Sequence, residues 1–66
     1  MTVEEVKSWV EKIKAISRDY EAAHSEEDSL YLAVLTAIRD GECEDPQALA
    51  SEALEAATLD FERRCA

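Results

Sequence analysis

Histidine, cysteine and carboxylate side chains at short spacings are the groups in this chain that could do chemistry. Glu21-Ala22-Ala23-His24 is a Glu-x-x-His pair. On a helix its two polar side chains lie one turn apart, the arrangement used in carboxylate-bridged di-iron bundles. A full site of that kind needs a second such pair and two further inward carboxylates. A symmetric dimer would supply the second pair, and Glu27 falls by rotation on the apolar side of its helix, where it could join. The plainer reading is that His24 sits at a helix end and meets the last free carbonyls. A lone motif of this kind arises often by chance. Glu21, His24 and Glu27 are therefore metal-ligand candidates only, and no cofactor is expected.

Cys43 and Cys65 with His24 make at most a partial zinc set, because there is no Cys-x-x-Cys and the fourth ligand would be an acid. Cys43 is flanked by Glu42, Glu44 and Asp45, whose negative charge disfavours a thiolate. Cys65 follows two arginines and reads as no more than an oxidation-prone thiol. A Ser-His-Asp arrangement needs a placed base and a buried orienter, and His24 is the single histidine. There is no Gly-rich phosphate loop, and a three-helix domain of this size has little room for a pocket. The expectation is a protein that is not an enzyme.

Length and charge narrow the classes further. Sixty-six residues make one domain, and a chain this short hides only about 60% of its unfolded surface. Such domains lean on disulfides, metals, regular helix packing or self-association. One cysteine pair is a thin framework, and no basic-then-apolar leader suggests export, so two free thiols in a reducing cytoplasm are expected. No run approaches eighteen apolar residues, so no membrane span is expected. The net charge is −9, from sixteen acids against seven bases. That argues against direct contact with a nucleic-acid backbone or an anionic membrane, both of which need clustered Lys and Arg. Residues 1–23 hold five acids and four bases, whereas residues 24–66 hold eleven acids and three bases.

These residues must be positioned by helices, since the composition is rich in Ala, Glu and Leu and holds one Gly and one Pro. Thr2-Val3-Glu4-Glu5 has the pattern of a capping box. Val6, Trp9, Ile13, Ile16, Tyr20 and Ala23 then follow at spacings of 3, 4, 3, 4 and 3, the seam of side-by-side helices. A break is expected at His24-Ser25, with Ser25 as N-cap and Glu26, Glu27 and Asp28 in the first turn. The most apolar stretch, Leu30 to Ile38, has Thr36 as its one polar residue and is expected at the centre of the fold. Gly41 ends that helix as a left-handed cap, and Asp45-Pro46 starts the third. A possible break near Thr58 interrupts the last helix.

The expectation is all-α: a small antiparallel three-helix bundle with helices at about 3–23, 26–40 and 46–64. The expected core is Val6, Trp9, Ile13, Ile16, Tyr20, Leu30, Val34, Leu35, Ile38, Leu49, Ala53 and Phe61. With neither disulfide nor metal as a staple, self-association as a homodimer is favoured. Leu32 points away from the apolar face of its helix; exposure of one leucine is ordinary, and the alternative is contact with another chain. The Trp9–Tyr20 seam is a second candidate contact, and Phe61 a further interaction residue.

Four segments resemble small helical proteins of actinobacteria and their bacteriophages. They are Glu21-Ala-Ala-His-Ser-Glu-Glu-Asp-Ser-Leu, Val34-Leu-Thr-Ala-Ile-Arg-Asp-Gly, Asp45-Pro-Gln-Ala-Leu-Ala and Leu59-Asp-Phe-Glu-Arg-Arg-Cys-Ala. Together they fall within residues 18–66. No activity is established for such proteins, so the resemblance implies no functional residues. It does imply a phage or mobile-element origin and a host protein as partner. The expected function is a non-catalytic protein-interaction module. The runner-up is an acidic decoy that imitates a phosphate track for a DNA-binding protein, and a dimeric metal site at Glu21 and His24 is third.

Overall fold

The computed structural model describes residues 1–63. It is an all-α bundle of α1 (Val3–Ala15), α2 (Tyr20–Arg39) and α3 (Pro46–Leu54), followed by a 3₁₀ turn at Glu55–Thr58. Among the described residues there is no strand. Short connections reverse the chain between helices, which makes neighbours antiparallel. Each helix packs on both of the others, so the apolar stretch of α2 is shared between two neighbours and is not enclosed at a centre.

The capping box of α1 is present: the amide of Glu5 donates to Thr2 Oγ1 (3.2 Å) and the amide of Thr2 donates to Glu5 Oε1 (3.1 Å). The helix then ends at Ala15, well before the expected end at residue 23. Local side chains explain the early stop. The Ser17 hydroxyl donates to the carbonyls of Lys14 (2.7 Å) and Ile13 (3.2 Å), satisfying groups the helix end leaves free. Asp19 accepts from the amide of Ala22 (3.2 Å) and is the N-cap of α2. His24 and Ser25 therefore lie inside α2, not at a break. The expected N-cap role of Ser25 is not what the chain uses.

This earlier start gives α2 its buried stripe: Ala23, Glu27, Leu30, Val34 and Ala37, at spacings of 4, 3, 4 and 3. At its far end the amide of Glu42 donates to the carbonyl of Ala37 (2.8 Å) and that of Gly41 to Ile38 (3.2 Å). This is a Schellman closure, and it needs the positive φ of +69° that Gly41 adopts. Asp45 caps α3 through the amide of Ala48 (3.0 Å), with Pro46 in the first turn. α3 gives way to the tighter 3₁₀ turn at Glu55, and the backbone is extended at Leu59. The interruption near Thr58 is thus real, and residues 59–63 do not continue the expected helix, whose expected end at residue 64 lies outside the described residues.

The core consists of Val6, Ile13, Leu30, Val34 and Leu49 with Ala23, Ala37, Ala53 and Ala56. Trp9, Ile16, Ile38 and Phe61 pack around it half-buried, and Tyr20 is half-buried as the first residue of α2. Leu35 departs from expectation altogether: it is 65% exposed. It sits one residue beyond buried Val34, hence about 100° around the helix and out of the bundle. The four alanines of the core let the helices approach closely and leave less apolar volume than the expected set.

Candidate functional site

The proposed metal ligands do not converge. Glu21 is exposed. His24 Nε2 lies 3.6 Å from Asp28 Oδ1, one turn further along α2. Glu27 is 4% exposed and turned into the bundle. Among the described residues no three His, Cys, Asp or Glu side chains form a group suited to a metal ion. Cys43 is half-buried against the core with a free thiol. Cys65 lies outside the described residues.

Glu27 instead pairs with Arg63, in the segment that follows the 3₁₀ turn. Its Oε1 accepts from Arg63 Nε (3.0 Å), and its Oε2 accepts from Arg63 Nη2 (3.4 Å) and from the Tyr31 hydroxyl (2.9 Å). Arg63 also donates to the carbonyls of Phe61 (3.3 Å), Ala56 (3.2 Å) and Leu59 (3.0 Å). Its guanidinium carbon sits 3.9 Å from the centre of the Phe61 ring, a cation–π contact. Burial, and then the hydrogen bond to the Glu27 carboxylate, push the Tyr31 hydroxyl up to about 12. It therefore remains a neutral donor to that carboxylate at ordinary pH. Rotation around α2 was enough to turn Glu27 inward from sequence. Arg63, 36 residues further on, carries no periodic signal that pairs it with Glu27.

The interaction candidates separate in the same way. Leu32 is 69% exposed. Trp9 is half-buried, and its indole N–H donates to Glu26 Oε2 (2.9 Å), which also lies 3.8 Å from Lys12 Nζ. Phe61 lies under Arg63 and against the core. Trp9 and Tyr20 therefore belong to different helices and do not form one continuous seam.

What the sequence reading missed is a groove of about 510 Å³ between α2 and α3. Its walls are Tyr31, Val34, Leu35 and Ile38 on one side, and Leu54 with Ala50, Ala53 and Ala57 on the other. Among the described residues no charged side chain lines it. Leu54 is 62% exposed, like Leu35 on the facing wall. Leu32, next to this groove on α2, borders a separate depression of about 480 Å³ with Met1, Ala33, Thr36 and Glu42. The signal for the groove was the small-residue spacing of Ala50, Ala53 and Ala57, which lowers one wall, but assigning Leu35 to the core concealed the other. No helix among the described residues is long and apolar enough to cross a membrane. Comparison with protein families, curated proteins and solved structures finds no match to this chain.

Proposed function

We propose that the chain is a small, acidic, non-catalytic protein-interaction module that receives an apolar helical face of another polypeptide on its α2–α3 surface. One observation carries this reading. A chain of net charge −9 places two large, exposed leucines, Leu35 and Leu54, on the walls of one uncharged groove. Contiguous apolar surface of this kind marks interaction sites on small soluble folds, and covering it removes apolar area from water. The partners in this reading are a second copy of the chain and, from the resemblance to phage-encoded proteins, a host protein met in the cytoplasm.

The test is selection of ligands from a displayed random-peptide library at low and high salt, with Leu54→Glu as the counter-screen. The expected ligands are apolar amphipathic peptides that tolerate salt and are lost with Leu54→Glu. Polybasic ligands that release steeply as salt rises and ignore Leu54→Glu would replace this reading with that of a decoy for a DNA-binding protein.

A further inference from the structure

The exposed side of α2 carries a pattern that is complementary to itself. Asp28, Leu32, Leu35 and Arg39 follow one another at spacings of 4, 3 and 4. At 100° per residue they fall within about 60° of one another, a single narrow stripe. Every member of the stripe faces solvent. Leu32 and Leu35 are 69% and 65% exposed, and the side chains of Asp28 and Arg39 are 68% and 74% exposed. The stripe therefore reads acid, leucine, leucine, base. Reversed, it reads base, leucine, leucine, acid.

From this we infer that the partner seated on α2 is a second copy of the same chain, packed antiparallel about a two-fold axis near Ala33 and Val34. In that register Leu32 of each copy meets Leu35 of the other, and Asp28 of each copy meets Arg39 of the other. The inference rests on the apolar-docking reading above and names its occupant. An isologous interface requires a patch complementary to itself, and this stripe has that property in both its apolar and its charged positions. The four paired positions carry one acid and one base, so they bring no net charge together, while exposed Glu21, seven residues before Asp28 on the same line, lies beyond the paired positions. Elsewhere excess carboxylates oppose contact between copies. Asp28 now lies near His24, and Arg39 donates to Asp40 (2.9 and 3.3 Å). The Asp28 and Arg39 side chains are themselves exposed in these local contacts, although His24 is only 15% exposed, and exposed charges exchange partners readily. Leu54 and Ile38, on the adjoining groove, continue the apolar surface beside the stripe.

The charges allow a test specific to the register. Asp28 and Arg39 are eleven residues apart on one helix, about 17 Å at 1.5 Å per residue, so they do not pair within a chain. Sedimentation equilibrium over a wide concentration series is expected to show a monomer–dimer equilibrium for the unmodified chain. Asp28→Arg and Arg39→Asp each turn both intermolecular pairs repulsive and are expected to weaken association by about tenfold or more. The double variant D28R/R39D exchanges the charges and is expected to recover most of that loss. Leu35→Lys is expected to abolish the dimer, with helix content by circular dichroism unchanged because the side chain is exposed. A wild-type chain that stays monomeric throughout overturns the inference. So does a double variant that associates no better than either single one. If the chain is monomeric yet peptide selection still yields salt-tolerant ligands dependent on Leu54, the second-copy occupant fails and the docking reading survives. If neither result appears, both fail.

Discussion

An ionised carboxylate that leaves water must recover its solvation from partners inside the protein. Glu27 does so through Arg63 and Tyr31, and in return holds the extended segment after the 3₁₀ turn against α2. Removing one partner of such a pair costs more than the pair contributes, because the other charge is left buried. The side chain of Arg63 is 34% exposed, so water reaches part of the site. Arg63→Ala is therefore expected to cost about 2 kcal/mol, less than a fully enclosed pair. Replacing both residues together, Glu27→Leu with Arg63→Leu, is expected to lie close to wild type because no charge is then stranded. Urea unfolding midpoints separate the two outcomes. Equal losses in both variants would mean that packing, not the stranded charge, sets the cost. Glu27 was legible from its position around α2, but its partner was not, since nothing local connects residues so far apart in the chain.

At the scale of elements, the two helix boundaries flanking Gly41 follow from nearby residues alone. A glycine able to adopt positive φ and an Asp-Pro start act within a few residues of themselves. The α1–α2 turn is different. Asp19 and Ser25 are both good N-cap types, and the apolar spacing runs unbroken from Val6 to Ala23 across the true turn. The periodicity is a property of two helices in succession, not one. In the structure Asp19 takes the cap and the Ser17 hydroxyl closes the end of α1, a local signal that the unbroken apolar spacing conceals. Asp19→Ala is expected to lower stability by about 1 kcal/mol through loss of the cap. Ser25→Ala, on the exposed side of the helix interior, is expected to change it by less than about 0.5 kcal/mol. Thermal melts followed by circular dichroism measure both, and the reverse order would restore a break at His24-Ser25.

For the molecule as a whole, a thin core meets a large negative charge. Four of its nine buried apolar residues are alanines, and a short chain has little burial to spare against the entropy of ordering. Self-repulsion at net −9 works against the compact state. Raising the salt from about 0.05 to 0.5 M shortens the Debye length from roughly 14 to 4 Å and should raise the melting temperature. Each 1 kcal/mol recovered corresponds to about 4–8 °C for a domain this small. A melting temperature that does not move with salt would show that the surface charges are already balanced by their neighbours.

The all-α class, the terminal capping box, the Gly41 stop, the Asp45-Pro46 start and the outward position of Leu32 were determined by sequence alone. Each depends on interactions within a few residues or on helical periodicity, and such information is local. The exposure of Leu35, the Glu27–Arg63 pair and the α2–α3 groove were decided only in the tertiary structure. Each depends on how far one helix is rotated against another, and on which distant segment arrives to cover it. A rotation of one residue, about 100°, is enough to move a leucine from core to surface.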